Sequence, residues 1–477
     1  MTVESVWVED ALTGRDAVGQ AELVRAGELS AVELVDAAIA RIARANGKLN
    51  VLAAQDFEQA RERAKSVRAG GPGGPLAGVP TLIKDLLPYP GLPCGFGSRA
   101  LAGHVAPEVS DYARDVGDAG LIVLGKSTTS EFGLLGTTQT LAHGVTHNPW
   151  DLARSPGGSS GGAVAAVASG MVPVAHASDG GGSIRGPASL CGLFGFKPSR
   201  QRERSTGPMS DSPFGQIISD HCVSRTVRDS AAWLAMTERP DGAAGFVREP
   251  LRRRLRIGWY EATAFGARPD ADVAAGLQRT VALCAELGHE LVPVAGPRFD
   301  AEAASAAFFQ MGGASMGMML GQLRGAGVPV EQLVEPFTLE LARRAGADPM
   351  QALGQASAVL QHAAGDNARA LDGIDVLLCP TVPFPAWPQA ELDPAGPFEA
   401  IIAFTNRLAG YTAPASLAGW CAMSVPLCES ADGLPVGMHF AAAAGQDALL
   451  LGLAYELELA APWRQRHPGW RARGTAA

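Results

Sequence analysis

Short runs of apolar residues alternate along the chain with longer stretches whose apolar residues recur at helical spacing. Turn-forming residues bound most of these runs, as is typical of buried strands. The runs are residues 79–85, 120–124, 255–259, 374–379 and 422–427. Two stretches, 273–287 and 446–460, predict helices. Strands alternating with helices predict an α/β fold with a largely parallel sheet that helices cover on both faces.

Near the start of the chain, Ser30 and Glu33 have the spacing of a capping box, and residues 34–42 continue with apolar positions at helical spacing. In a capping box the hydroxyl and the carboxylate satisfy free N–H groups of the first helical turn. A helix is therefore predicted to begin after Ser30.

Composition and charge narrow the functional classes. The 477 residues carry a net charge of −9, which argues against nucleic-acid binding because such proteins usually present a basic face. No stretch of 18 uninterrupted apolar residues occurs, so no membrane span is predicted. The seven cysteines are scattered, and the first residues lack the basic and apolar pattern of a signal peptide. These features predict a cytoplasmic protein with free thiols.

Two motifs suggest other chemistries, but the residues around each motif argue against them. Residues 120–127 fit a phosphate-binding P-loop, but the four residues between its glycines are Leu-Ile-Val-Leu, which predicts a buried strand rather than a phosphate-cradling turn. Residues 158–162 fit the GxSxG pattern of α/β-hydrolases, yet a polar loop with two prolines precedes them instead of a strand. No pair of histidines stands at metal-ligand spacing beside acids, so neither a metal nor a cofactor is predicted.

Three polar stretches remain: GVPTLIKD at 78–85, PGGSSGG at 156–162 before an alanine-rich run, and SDGGGSIR at 178–185. Together they resemble the amidase signature family of serine hydrolases, in which a lysine motif, a GGSSGG loop and a GGS-[IV]-R loop occur in this order. The separation of Ser159 and Ser183, 183 − 159 = 24 positions, also matches the family. The resemblance covers residues 5 to 463.

The resemblance implies one large three-layer α/β/α catalytic domain over residues 1–463, with a mixed, mostly parallel central sheet. Within it, about 205–220 and 300–370 diverge from the family and are expected to be insertions on the substrate side. Residues 464–477 contain four arginines and are expected to form a flexible basic tail.

The resemblance also implies a catalytic triad of Ser183 as nucleophile, Ser159 as a relay after a cis peptide bond, and Lys84 as base. The residues agree with this assignment. A lysine acts as a base only when its amine is neutral, and desolvation favours the neutral form. Leu82 and Ile83 come directly before Lys84 and are expected to carry its stem inward.

The glycine-rich loop before Ser183 is expected to supply an oxyanion hole, because residues without side chains leave their N–H groups free to face a developing negative charge. The N–H donors would be those of Gly180, Gly181, Gly182 and Ser183. Three further residues are expected to support the loops by hydrogen bonds and charge pairing: Ser160, Asp179 and Arg185. Four residues are predicted to contact substrate: Thr129, Phe132, Met316 and Met319.

The expected reaction is hydrolysis of C–N bonds in amides of small or oligomeric substrates through an acyl-enzyme, with carbamates and esters accessible to the same geometry. The motifs are most similar to bacterial amidases of the nylon-oligomer (6-aminohexanoate cyclic dimer) hydrolase and urethanase kind. Two alternatives stay open: a glutaminase-type subunit that delivers ammonia within a tRNA-dependent amidotransferase, and a non-catalytic binding protein on the same scaffold. The expected partner is a small amide or carbamate, and the expected state is a monomer or homodimer.

Overall fold

The computed structural model describes residues 7–206 and 215–468. Most of the described helices are amphipathic or wholly buried, and several begin at a capping residue such as Ser30, whose predicted capping box with Glu33 is formed. The helices are α1 (Ala17–Ala26), α2 (Ala31–Leu49), α3 (Phe57–Ser66), α4 (Asp111–Asp118), α5 (Gly161–Ala168), α6 (Arg185–Cys191), α7 (Val227–Thr237), α8 (Ala271–Glu286), α9 (Ala301–Gly325), α10 (Val330–Leu333), α11 (Pro336–Arg344), α12 (Pro349–Ala368), α13 (Phe398–Ala409), α14 (Ala413–Leu417) and α15 (Asp447–Ala460).

The strands of the described residues form one large sheet, one three-stranded sheet and one two-stranded ribbon. The strands are β1 (Leu52–Gln55), β2 (Pro80–Lys84), β3 (Ile122–Ser127), β4 (Gln139–Thr140), β5 (Gly144–Val145), β6 (Val174–Asp179), β7 (Phe194–Lys197), β8 (Ser219–Ser224), β9 (Arg256–Trp259), β10 (Glu290–Pro293), β11 (Val376–Pro380), β12 (Cys421–Glu429) and β13 (Pro435–Ala442). Every predicted run and both predicted helical stretches coincide with one of these elements.

The large sheet has the strand order β10-β9-β11-β13-β12-β7-β8-β6. The pairs β10–β9 and β9–β11 are parallel, while the other five adjacent pairs are antiparallel. The predicted α/β class with a mixed sheet is therefore confirmed, but the prediction of a mostly parallel sheet is wrong. Helices cover both faces, so that β13 is buried along its whole length. A strand that is buried on both faces shows an unbroken apolar run whether its neighbours are parallel or antiparallel. The apolar pattern therefore does not reveal strand direction.

The three-stranded sheet brings the end of β2 to the end of β6. Its order is β1-β3-β2, with β2 parallel to β3. The Thr81 hydroxyl on β2 donates a hydrogen bond to the Val174 carbonyl on β6, with 3.0 Å between the oxygens. Lys84 and Asp179, which end these two strands, therefore lie at the same side of the molecule.

The structure gives a different outcome for each of three predicted segments: the two insertions and the C-terminal tail. Residues 207–214 lie outside the described residues, and the last part of the predicted 205–220 insertion belongs to β8 in the large sheet. The segment 300–370 forms the helices α9 to α12. At the start of the predicted tail, Arg464 donates to the Gly14 carbonyl and Arg466 to the Pro426 carbonyl, both over 2.7 Å, so this part is bound to the domain.

Two global features bear on the sequence expectations. In residues 7–206 and 215–468, none of the helices has both the length and the apolar character needed to cross a lipid bilayer. All seven cysteines are buried and form no disulfide.

Candidate active site

Lys84 is fully buried at the end of β2, and its amine contacts two serine hydroxyls. The Nζ atom lies 2.7 Å from Ser159 Oγ and 3.0 Å from Ser178 Oγ. Burial lowers the pKa of Lys84 to about 7, because the charged ammonium loses its hydration, while the negative charges of Asp220 and Asp179 oppose the shift in part. A neutral amine is therefore accessible near physiological pH.

The backbone of Lys84 is fixed by a buried histidine. Its N–H donates to His176 Nδ1 over 3.2 Å, and His176 Nε2 lies 3.0 Å from Asp220 Oδ1. Because Nδ1 accepts a hydrogen bond, the ring proton resides on Nε2 and is donated to the carboxylate. Burial lowers the pKa of His176, so the ring stays neutral in this position. Strands β2, β6 and β8 are thereby joined behind the amine.

Ser159 lies in a tight turn immediately before α5, and the Gly158–Ser159 peptide bond is cis. The backbone of Gly158 packs directly on Thr137: a Cβ added at Gly158 would come within 2.6 Å of the Thr137 carbonyl oxygen. Only glycine fits there, which accounts for one glycine of the GGSSGG motif. The neighbouring Ser160 hydroxyl donates to the Ser178 carbonyl over 3.2 Å and holds this turn to the end of β6.

The loop between β6 and α6 is closed by a buried ion pair. Asp179 and Arg185 are both fully buried, and two guanidinium nitrogens lie 2.8 Å from the two carboxylate oxygens. The carboxylate also accepts the backbone N–H of Ile184 over 3.1 Å. Although burial would raise the pKa of Asp179, the Arg185 guanidinium holds it well below its usual range. The pair fixes both ends of the loop that carries Ser183.

The glycines of this loop have a conformation and packing that side chains would prevent. Gly182 has φ +141, and a Cβ there would lie 2.3 Å from Thr412 Oγ1. The Thr412 hydroxyl donates to the Gly181 carbonyl over 2.6 Å, so the N–H at the other side of that trans peptide plane points away from Thr412. In the described part of the chain, the amides of residues 180–183 donate to no protein acceptor. They are available to a bound oxygen.

Ser159, Ser178 and Ser183 all line one cleft, which has about 830 Å³ of empty space, part of it open to solvent. Its walls are apolar, and no charged side chain lines it in the described part of the chain. The larger wall residues include Leu86, Phe132, Leu135, Leu190, Trp387 and Leu408. The hydroxyls of Ser159 and Ser183 form no hydrogen bond with each other among the described residues, and such contacts often tighten only when substrate binds.

The predicted site residues therefore fall into two groups. Ser159, the loop 180–183 and Phe132 line the cleft, and Lys84 lies buried behind Ser159, in contact with its hydroxyl. The remaining predicted contacts lie elsewhere: Thr129 is buried away from the cleft wall, and Met316 and Met319 on α9 pack with Phe132 in a hydrophobic cluster.

Sequence reasoning did not single out Ser178. Its side chain contacts Lys84 directly, but a serine adds nothing to an apolar pattern from which a strand could be predicted. Side chains alternate along a strand, so His176 and Ser178, two positions apart, share a face of β6. Both contact Lys84. Recognising residues 174–179 as a strand would have predicted this shared face. The polar residues within β6 concealed the strand.

Comparison with known proteins identifies the family of this chain. The Amidase family model matches residues 33–451. A protein named "Putative amidase AmiC" from Mycobacterium leprae (strain TN) is 36% identical over 464 residues, which cover 95% of this chain and 97% of that protein. The 6-aminohexanoate-cyclic-dimer hydrolase of Pseudomonas sp. (strain NK87) is 34% identical over 484 residues, covering 95% and 96%.

A solved structure of 6-aminohexanoate cyclic dimer hydrolase complexed with substrate superposes with a TM-score of 0.88 at 32% identity and covers 97% of this chain and 99% of that chain. The chain is thus an amide-hydrolysing enzyme with this α/β fold. The chain belongs to the amidase signature family.

Proposed function

We propose that this enzyme hydrolyses neutral amides through an acyl-enzyme on Ser183, with Ser159 as proton relay and Lys84 as base. The contact between Lys84 Nζ and Ser159 Oγ, 2.7 Å within a buried site, is the observation that carries the proposal. A neutral amine beside a hydroxyl can accept its proton, and the pKa of about 7 makes that amine available.

The first half of the reaction forms the acyl-enzyme. The Ser183 oxygen attacks the amide carbon while its proton passes to Ser159 Oγ, and the Ser159 proton passes to Lys84. Amides of residues 180–183 stabilise the negative oxygen of the tetrahedral intermediate. Lys84 then returns its proton through Ser159 to the leaving nitrogen, the C–N bond breaks, and the acyl group stays on Ser183.

The second half regenerates the enzyme. A water molecule attacks the acyl carbon and gives its proton through Ser159 to Lys84. The bond to Ser183 then breaks as this proton returns through Ser159 to the Ser183 oxygen, and the carboxylic acid leaves. Because the relay both removes and returns a proton, it suits poor leaving groups such as amines. Carbamates and esters present the same carbonyl geometry and are proposed as further substrates.

The apolar cleft favours this function over the glutaminase alternative. Free glutamine carries an ammonium and a carboxylate, and both would lose hydration in the cleft. Charged groups enter a dry site at high cost unless opposite charges meet them. The described lining residues of the cleft include no such charges, whereas a neutral amide needs none.

The proposal is tested by trapping the intermediate. Intact-mass measurement during turnover of a slowly deacylated aryl amide, or after a fluorophosphonate, is expected to show one covalent adduct on the native enzyme. Ser183→Ala is expected to lose the adduct and to lower kcat by about 10⁴- to 10⁶-fold. Ser66→Ala, on the exposed face of α3, is the matched control and keeps both. An adduct and native turnover in Ser183→Ala would refute the assignment.

A further inference from the structure

A second space, the rear chamber, adjoins the cleft at the glycine loop. It has about 580 Å³ of empty space, part of it open to solvent. Four phenylalanines line it: Phe265, Phe299, Phe308 and Phe309. The residues that border both this rear chamber and the cleft are Gly180, Gly181, Phe308, Thr405 and Ala409. The two spaces are therefore neighbours that meet beside the loop carrying Ser183.

The rear chamber is built from matching helix faces and is apolar. Helix α9 presents Ala304 and Phe308 to it, four positions apart, and helix α13 presents Thr405 and Ala409 at the same spacing. Two polar side chains of its lining pair with each other, since the Ser305 hydroxyl donates to the side-chain oxygen of Asn406 over 2.6 Å. Within residues 7–206 and 215–468, no charged side chain lines the chamber.

One polar atom at the junction lacks a partner. Thr405 Oγ1 is buried and has no hydrogen-bond partner among the described residues, although Thr405 borders both spaces. A buried hydroxyl without a partner is unfavourable in a folded protein, so most find one. Rotation of the Thr405 side chain about its Cα–Cβ bond would turn this hydroxyl toward a ligand that passes from the cleft into the chamber, and the ligand would supply the missing partner.

The position of the relay decides which part of a substrate lies there. Ser159 returns the proton to the leaving nitrogen, so the amine lies on the cleft side, where Ser159 is part of the wall. The rear chamber borders Gly180 and Gly181 but neither Ser159 nor Ser183. The remaining substituent of the reacting carbon, the acyl group, is therefore the part that extends past the glycines.

We propose that the rear chamber binds the acyl group of the substrate, that this group is uncharged and apolar, and that the Thr405 hydroxyl hydrogen-bonds a polar atom within it. The assignment rests on the proposed function and adds the class of acyl group. Substrates would thus be amides of aryl or extended alkyl carboxylic acids rather than of short or charged ones.

The first test uses the native enzyme and a series of 4-nitroanilides that share one leaving group. The acyl groups are acetyl, hexanoyl, 3-phenylpropanoyl and 5-carboxypentanoyl. We expect kcat/KM for hexanoyl and 3-phenylpropanoyl to exceed that for acetyl at least tenfold, and the terminal carboxylate to lower it at least tenfold relative to hexanoyl. Equal values across the series would overturn the proposal, and this test needs no variant to fold.

The second test fills the chamber. Ala304→Leu adds bulk to its wall, and Ala306→Leu makes the same change on the exposed face of the same helix. Ala304→Leu is expected to reduce the ratio of kcat/KM for 3-phenylpropanoyl to acetyl at least tenfold, while Ala306→Leu keeps the native ratio. An unchanged ratio in Ala304→Leu would overturn the proposal.

The third test addresses Thr405 with an isosteric pair of substrates, the hexanoyl anilide and the 3-ethoxypropanoyl anilide, which replaces one methylene by oxygen. Thr405→Val is expected to lower the ratio of ether to hydrocarbon turnover by about two- to tenfold. An unchanged ratio contradicts the role of Thr405. Loss of turnover in Ser183→Ala together with a flat acyl series would contradict the chamber alone and leave the proposed function intact.

Discussion

Two lysines on neighbouring strands, Lys84 on β2 and Lys126 on β3, show what separates a base from a structural cation. Both side chains are fully buried, and burial lowers the pKa of both. Lys84 Nζ donates to the carbonyl of Ser178 and contacts two serine hydroxyls, whereas Lys126 Nζ donates to the carbonyl of Leu87. A carbonyl oxygen can only accept a hydrogen bond, whereas a hydroxyl can also donate its proton to a neutral amine. Burial lowers the pKa of both amines, and the hydrogen-bond partner determines whether the neutral amine can accept a proton.

The residues around the two lysines also differ: those near Lys126 hold a loop, and those at Lys84 border the cleft. Lys126 lies near Cys94, and burial raises the pKa of that thiol to about 11, so the thiol is neutral at physiological pH. The nearby Asp85 carboxylate accepts the backbone N–H groups of Gly95 and Gly97. These groups organise a loop. Ser159 and Ser178, the partners of Lys84, both border the cleft.

The strongest test of the comparison removes each amine in turn. Lys84→Met is expected to lower kcat by about 10³-fold or more, because general-base transfer contributes about 10²–10⁴-fold and the relay loses its end point. Lys126→Met is expected to stay within a few-fold of native kcat while lowering Tm, since its amine supports a carbonyl and a loop. Steady-state assays and thermal unfolding of both variants measure the contrast. Equal losses of kcat would mean that contact with the serine hydroxyls does not distinguish the two amines.

The pH dependence of the native enzyme gives the next largest effect. Only the neutral form of Lys84 accepts a proton, so kcat/KM is expected to rise with pH through about 7 and to fall about tenfold per unit at lower pH. The pH profile of kcat/KM for a neutral anilide measures this directly. A profile flat from pH 5 to 8 would exclude Lys84 as the titrating base.

Asp220 sharpens this prediction because its carboxylate acts on the pKa of Lys84, whereas the carboxylate that acts on the pKa of Lys126 is that of Asp85. Its carboxylate favours the ammonium form of Lys84 and so raises the pKa of the amine. Asp220→Asn removes the charge, and the acid limb of kcat/KM is expected to move to lower pH. The exposed Asp432→Asn is the control and keeps the native limb. Movement of the limb to higher pH would contradict the electrostatic account.

The smallest expected effect concerns the second hydroxyl on Lys84. Ser178→Ala removes the 3.0 Å contact but leaves Ser159 in place, so kcat is expected to fall by only about two- to tenfold, the usual worth of one hydrogen bond. Initial-rate measurements beside Ser66→Ala provide the comparison. A loss as large as that of Lys84→Met would identify Ser178, rather than Ser159, as the obligatory partner of the amine.

The sequence predicted which polar residues come together better than it predicted the direction of the strands. The spacing of three motifs and their family resemblance pointed to Lys84, Ser159 and Ser183, and the structure brings the first two into contact and all three to one region. The strand β6 escaped detection because His176, Ser178 and Asp179 interrupt its apolar pattern, although all three are buried. Their burial is made possible by partners from β2, β8 and α6, which no local pattern displays.

The predicted substrate contacts also show what the sequence pattern does not reveal. Met316 and Met319 lie on a helix whose apolar character the sequence reveals, yet they face a hydrophobic cluster, while Phe308 on the same helix lines both the cleft and the rear chamber. Periodicity reports that a face is buried but not what it is buried against. The lining of the two spaces became visible only when α9 and α13 were placed beside each other.

By itself the sequence determined which segments bury apolar residues, where the backbone requires glycine, and which hydroxyls and amine have the spacing of an amidase. Tertiary structure alone decided strand direction, the contact of Ser178 with Lys84 and the chamber behind the loop. The physical reason is range: apolar spacing and turn chemistry act over a few residues, whereas Lys84 and Ser178 meet across 94 positions through the packing of β2 on β6.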